Sequence, residues 1–318
     1  MIRLLLLSAC FAAGNAWAQS WPDRPVKIVA PFAPGGTADT LGRLVAEQLS
    51  QRFKQSFVVE NRPGAGGAVG SELVAKSDPD GYTFVVSGVA SHVIRPNLPG
   101  GTSYDPMKDF THVALLGGPP AVFAVNPSLP ARTLKEFVAL AKEQPGKLTY
   151  GSPGTGTQGQ LVADLFKHEA GINVVHVPYK GAARAVTDLL AGQITAVSTT
   201  LTTASGQIKG GRARALALSS KERLPDYPDI PTFAEQGYPN IVGTVWFSLS
   251  GPAGVPPAIV DKLNAAVREA LKAPEVRERV KHDGIVPNDL DAKQFTAFVA
   301  EELKRWAPIV KASGAKND

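Results

Sequence analysis

Cysteine occurs once, at Cys10, and nowhere after it. That excludes a disulfide framework, a thiol nucleophile and a cysteine-ligated zinc site from the rest of the chain. A protein of 318 residues buries enough core to do without such staples. Beyond the first residues, no apolar run reaches the roughly 18 residues of a membrane-spanning helix. Charge is sparse at 19%, with a formal net of +5. No basic cluster is dense, and the one at Lys209 to Arg214 holds only Lys209, Arg212 and Arg214. So dispersed an excess speaks against a nucleic-acid partner. The five histidines are His92, His112, His168, His176 and His282, and none has an H-x-x-x-H or H-E-x-x-H partner. No G-x-S-x-G elbow is present. Catalytic residues, metal and cofactor are all expected to be none. His92 alone stands apart as a candidate ligand contact, because it follows a strand-end loop on the edge where ligands bind.

What is present begins with a leader. Arg3 carries one positive charge, Leu4 to Ala13 is apolar, and Ala16-Trp17-Ala18 is a small-x-small cleavage pattern. Residues 1–18 read as a secretory signal peptide cut after Ala18. Leu7-Ser8-Ala9-Cys10 also resembles a lipoprotein box, with only nine residues ahead of Cys10. Loss of Arg3 takes the net charge from +5 to +4.

The stretch that organises the mature chain is Val26 to Asp39. Val26 to Ala30 is a short, β-branched apolar run and reads as a buried strand. Pro34-Gly35-Gly36 is a small-residue turn. Leu41, Leu44, Val45 and Leu49 then share one face of a helix. A strand, a glycine turn and a helix N-terminus together present unpaired N–H groups and a partial positive charge. An anion is the expected guest. The alternative is an ordinary βα turn whose glycines serve geometry alone.

The same arrangement returns along the chain. Ser56–Glu60 leads into the turn Asn61 to Ala68 and a helix from Val69. Tyr82–Ser87 ends in Ser87-Gly88-Val89-Ala90-Ser91-His92. Thr133-Leu134-Lys135-Glu136 is a capping box. Leu148–Gly151 precedes Ser152-Pro153-Gly154-Thr155-Gly156-Thr157-Gln158 and the helical stripe Leu161, Val162, Leu165, Phe166. Val174–Val177 leads to Pro178-Tyr179-Lys180-Gly181, and Ile194–Ser198 and Ala215–Leu218 are further strands. Strands alternating with helices predict a parallel sheet covered on both faces, with ligands at the strand C-termini. The pattern reads as two successive βαβ halves. A last helix, Ala292 to Lys311, has Phe295, Phe298, Val299, Leu303 and Trp306 as a core stripe.

Gly154 to Gly159 fits the dinucleotide pattern G-x-G-x-x-G. The following strand ends Val177-Pro178-Tyr179-Lys180, without the acid that would hold a ribose. The glycines therefore suit close approach to a carboxylate better than a cofactor. Asp39, in the first turn of its helix, either offsets the dipole or accepts from a ligand amine or hydroxyl. Thr37 and Thr157 either cap helices or bind ligand oxygen.

These residues form a recognisable series. Trp21-Pro22-x-Arg24-Pro25-Val26-Lys27-Ile28-Val29-x-Pro31-Phe32-x-Pro34-Gly35-Gly36-x-x-Asp39 resembles the tripartite tricarboxylate transporter substrate-binding receptors, the Bug family. Val59 to Gly67, Asp80-Gly81-Tyr82-Thr83, Gly151 to Thr157, Val177 to Gly181, Arg214 to Ala217 and Pro252 to Pro256 match in order. The resemblance implies an α/β, two-lobed, type II periplasmic-binding-protein (Venus flytrap) fold, each lobe a mainly parallel sheet flanked by helices. Domain 1 is expected to take residues 19–121 plus 248–318, and domain 2 residues 122–247, with crossings near Ala121–Val125 and Trp246–Ser250. The expected ligand set is Phe32, Ala33, Gly35, Gly36, Thr37, Asp39, Ser87, Val89, Ser91, Ser152, Gly154, Gly156, Thr157, Gln158, Tyr179, Gly181 and Thr199. Arg62 is the nearest cation to the glycine turns. The implied function is a periplasmic receptor for a small carboxylate: a di- or tricarboxylate, an acidic amino acid or an aromatic acid. A monomer is expected, with an inner-membrane tripartite transporter or a sensor kinase as partner. The alternative reading is a secreted enzyme acting on a small organic acid.

Overall fold

The computed structural model describes residues 21–282, 284–285, 289–313 and 315. The signal peptide at 1–18 and the lipoprotein box lie outside the described residues.

The first sheet begins with β1 (Val26–Ala30), buried except at Lys27. It continues through α1 (Thr37–Phe53), β2 (Phe57–Asn61), α2 (Ala68–Ala75) and β3 (Thr83–Gly88). A π-turn at Ala90–Ile94 runs into the single turn α3 (Arg95–Asn97), and β4 (Phe110–Gly117) follows. Helix α1 forms because Leu41, Leu44, Val45 and Leu49 make one apolar stripe, and all four are buried against the sheet.

The second sheet opens with β5 (Ala121–Val125), then α4 (Leu134–Glu143), β6 (Thr149–Ser152), α5 (Gln158–Ala170), β7 (Val175–Pro178), α6 (Ala182–Leu190), β8 (Ala196–Thr200), α7 (Leu201–Lys209) and β9 (Arg214–Leu218). Helix α4 starts at the expected capping box. The Thr133 hydroxyl accepts from the Glu136 N–H at 3.1 Å, and the Glu136 carboxylate accepts from the Arg132 N–H at 2.6 Å. The chain then returns to the first sheet through β10 (Phe247–Pro252) and ends in α8 (Pro257–Lys272), α9 (Pro274–His282) and α10 (Ala292–Ser313).

The strand orders are β2-β1-β3-β10-β4 and β7-β6-β8-β5-β9. β1 pairs in parallel with β2 and β3, and β6 with β7 and β8. β10 and β5 are antiparallel to both of their neighbours. Each sheet is thus mixed, with four strands sharing one direction and the fourth position reversed. The reason is topological. β5 and β10 are the strands that arrive from the other sheet. They start at the interface and run away from it, while the rest carry their turns towards it.

The two crossings run side by side, and Pro120 bridges to Thr244. Ala121 is already paired with Thr200 in the second sheet, and Phe247 with Gly88 in the first. Each crossing therefore lies just ahead of the strand in which the sequence pattern puts it. The backbones pass so closely that a Cβ at Gly118 would collide with the Val245 carbonyl oxygen, so only glycine fits there.

Helix α10 packs on the first sheet through Phe295 and Val299, both fully buried. Further along it, the buried Glu302 carboxylate accepts from two indoles: Trp246 Nε1 at 2.8 Å and Trp306 Nε1 at 3.1 Å. Arg305 completes the ion pair at 2.6 Å. The C-terminal helix is thereby tied to the second crossing.

Candidate functional site

The strands that point at the interface deliver helix N-termini to it. Helix α1 begins behind Gly35, whose φ of +83° suits a residue without a Cβ, and Gly36 holds the N-cap position. No described side chain caps α1, α6 or α7. Helix α5 is the exception. Thr157 Oγ1 accepts from the Gln160 N–H at 3.5 Å, and Gln160 Oε1 accepts from the Gly156 N–H at 2.8 Å, a capping box built with glutamine.

All four N-termini open onto one cavity between the lobes, which in this closed form encloses about 50 Å³ of solvent-sized space. Its wall takes Gly36, Thr37 and Ala38 from α1, Thr157, Gln158 and Gly159 from α5, Ala182 from α6 and Thr200 from the start of α7. Gly88 to Ser91, Phe32, Pro153, Val245 and Phe247 complete it. Among the described residues, no Lys, Arg, His, Asp or Glu is in this lining. Four partial positive charges therefore converge with no ionised side chain on the wall. The arrangement can hold an anion through backbone N–H groups and hydroxyls.

The lobes meet around the cavity. Thr37 Oγ1 lies 2.7 Å from Thr200 Oγ1, and Thr203 Oγ1 lies 3.0 Å from Thr200 Oγ1. The Ala33 N–H donates to the Lys180 carbonyl at 3.2 Å.

Of the residues named from sequence, the cavity brings together Phe32, Gly36, Thr37, Val89, Ser91, Thr157 and Gln158. The others lie off its wall, each for an identifiable reason. Ala33, Gly35 and Gly181 form the seam between lobes, where a Cβ on Gly35 would meet Ala183 at 3.3 Å and one on Gly181 would meet Ala33 at 3.0 Å. Asp39 is engaged within its own lobe. Its carboxylate accepts from the Gly35 N–H and from Asn61 Nδ2, each at 3.0 Å, and pairs with Arg43 at 2.9 Å. Burial raises the Asp39 carboxyl, but these bonds, led by Arg43, outweigh it and leave it below its ordinary value. Ser87 turns into the first sheet, 2.6 Å from Ser248 Oγ and 2.8 Å from Ser250 Oγ. Ser152 Oγ lies 2.7 Å from His176 Nε2. Gly154 and Gly156 lie against Tyr179 and Arg95, and Tyr179 donates to Asp188 at 2.9 Å.

Thr199 differs from its expectation by one residue. Strand side chains alternate between faces. Thr199 is fully buried in β8, whereas Thr200 reaches the cavity. Arg62 ion-pairs with Glu60 on the surface and is not in the lining. His92 is fully buried, with Nδ1 3.0 Å from Ser91 Oγ and its ring 4.4 Å from Phe110. Burial, then the charge of His112, drives its pKa well below the ordinary value. Among the described residues, no group of three or more His, Cys, Asp or Glu is placed to hold a metal ion.

Sequence reasoning missed Ala38, Gly88, Ala90, Pro153, Gly159, Ala182, Val245 and Phe247, whereas the resemblance marks Thr199-Thr200 together as pocket positions. Ala182 and Gly159 carry a signal, as first-turn residues of helices legible in the sequence. Val245 and Phe247 carry none, because the crossing brings them in from far along the chain.

The model of the tripartite tricarboxylate transporter family receptor matches residues 41–315. BugT of Bordetella pertussis is 35% identical, over 99% of both chains. The Rhodopseudomonas palustris protein Rpa4515, solved with adipate, is 33% identical, with a TM-score of 0.90 over 93% of this chain and 99% of its own. MatC of the same organism, solved with bound malate, is 32% identical, with a TM-score of 0.87 over 91% of this chain and 100% of its own. Fold, chain-wide identity and family model agree, and the chain belongs to the tripartite tricarboxylate transporter family of receptors.

Proposed function

We propose that this chain is a periplasmic solute receptor that closes its two lobes on a small carboxylate. One observation carries the reading: four helix N-termini open onto a cavity whose described lining contains no ionised side chain. A carboxylate satisfies those N–H groups, and a cation is repelled by them. The relatives solved with adipate and malate support the same ligand class. The ligand touches both lobes at once, so it stabilises the closed form by its differential affinity. The loaded, monomeric receptor then docks on an inner-membrane tripartite transporter, or on a sensor kinase. The secreted-enzyme alternative gains no support from these relatives. The family and the leader at residues 1–18 support a periplasmic location.

The test is a thermal-shift screen of carboxylic acids, sugars and cations, with native mass spectrometry of the freshly purified protein. A carboxylate is expected to raise the melting temperature. Shifts from sugars or cations alone would defeat the reading. Gly36→Val locates the site. A Cβ at Gly36 meets only the Ala33 carbonyl, at 3.8 Å, so the larger side chain fills the cavity without straining the fold. Binding is expected to be abolished while the melting temperature of the empty protein changes little.

A further inference from the structure

We propose that Arg95 is a positioning residue for lobe closure: its stem is the seat on which the glycine turn of the second lobe comes to rest, and affinity for the ligand depends on that seat. The inference rests on the two-lobed carboxylate reading and adds a residue that serves it from outside the cavity lining.

Arg95 opens α3, one turn beyond Ser91 on the cavity wall, and belongs to the first lobe. The turn that carries it is held in place. Asn97 Nδ2 donates to the Val93 carbonyl at 2.9 Å and to the Leu303 carbonyl of α10 at 3.3 Å. Gly156 belongs to the second lobe, between β6 and α5, next to Thr157 on the wall. The two residues meet across the seam. A Cβ on Gly156 would come within 2.3 Å of Arg95 Cδ and 3.0 Å of Leu98 Cδ1. The same Cδ packs on Gly66 of the first lobe, where a Cβ would come within 3.1 Å of it and within 2.6 Å of the Thr155 carbonyl oxygen. The stem thus rests on two bare glycine backbones, one from each lobe, and Arg95 is 8% exposed.

Parting the lobes takes Gly156 away from the stem. The contact therefore exists only in the closed form and favours closure, as the ligand does. A side chain at position 156 would overlap the stem, and overpacking of this kind costs stability. The φ of +74° at Gly156 also favours glycine. That preference is internal to the turn and acts in open and closed forms alike, whereas the collision with Arg95 acts only on closing. The two reasons for glycine are therefore separable by experiment.

The experiment is a double-mutant cycle on the receptor with Gly156→Ala, Arg95→Ala and their combination. Calorimetry with adipate and malate reads affinity. Closure without ligand is read as the rate of disulfide formation after Gly35→Cys and Ala183→Cys, because a Cβ on Gly35 lies 3.3 Å from that of Ala183 and Cys10 in the leader is the only native cysteine. Gly156→Ala should weaken binding and slow trapping by about tenfold. In the Arg95→Ala background the same change should reduce both by about threefold or less. Arg95→Ala alone should weaken binding about 3- to 10-fold. Arg95→Lys, which keeps an unbranched stem, should stay within about twofold of the parent. An equal Gly156→Ala penalty in both backgrounds would reduce Gly156 to turn geometry and overturn the seat, leaving the carboxylate reading in place. Affinity and trapping unchanged in Arg95→Ala would overturn it too, and that variant decides the matter even where Gly156→Ala folds poorly. If no acid binds, the carboxylate reading falls, and the trapping rates alone decide the seat.

Discussion

Thr37 and Thr200 face each other across the cleft with their hydroxyl oxygens 2.7 Å apart. One belongs to the first turn of α1 and the other to the end of β8, so the bond exists only while the lobes are together. Net, such a bond contributes about 0.5–1.5 kcal/mol. Thr200→Val is therefore expected to weaken ligand binding by about 2- to 10-fold and to shift the empty protein towards open forms. Thr200→Ser, which keeps the hydroxyl, should stay close to the parent. Calorimetry and small-angle scattering of the empty protein check both, and equal affinity in Thr200→Val would remove the latch.

A second expectation concerns pH. His92 and His112 are buried side by side, their ring centroids 6.0 Å apart. Burial lowers His112 to about 4, and burial with the charge of His112 drives His92 lower as well. Both therefore stay neutral in the folded protein while the unfolded chain takes up protons below about pH 6.5. The unfolded state binds more protons in that window, so stability falls as pH drops from about 6.5 to about 4. One pH unit of depressed pKa corresponds to about 1.4 kcal/mol, so the loss is of the order of a few kcal/mol. Asp39, held below its ordinary value, adds a separate loss that begins only near pH 4. Urea unfolding at pH 7, 6, 5 and 4 measures the slope. His112→Gln should flatten it between pH 6 and 4, and an unchanged slope would assign the loss to other groups.

Glu302 is the third case. Its carboxylate satisfies the buried indoles of Trp246 and Trp306. Glu302→Ala leaves two buried donors unpaired, at about 1–3 kcal/mol each. A destabilisation of about 2–4 kcal/mol is expected in urea, with altered tryptophan emission. A change below about 0.5 kcal/mol would mean that water replaces the carboxylate without cost.

The features legible in the sequence follow local physics. The α1 stripe, the capping box at Thr133 and the glycine turns before α1 and α5 all depend on neighbours within a few residues. They appear where the pattern puts them. Helix α7 is not legible, because Thr202, Thr203, Ser205 and Gly206 give it little apolar periodicity. The sequence marks the pair Thr199-Thr200 without separating them, because strand alternation fixes opposite faces without saying which one meets the cavity. Ser87 sits at a strand end on the right edge, yet its hydroxyl is claimed by Ser248, which lies 161 residues away. Val245 and Phe247 reach the cavity through the crossing, and no local signal encodes that. The misses share one cause, which is pairing between segments remote in sequence.

The register at the crossing has a further consequence. β4 ends at Gly117 and β10 begins at Phe247, and these two residues are paired opposite one another. Gly118 to Trp246 therefore hang from the tip of an otherwise ordinary β-hairpin. The second half of the chain thus enters and leaves between two paired strands of the first sheet, as one contiguous insertion. A receptor assembled this way can exchange one half of its binding surface by substituting a single contiguous stretch of chain.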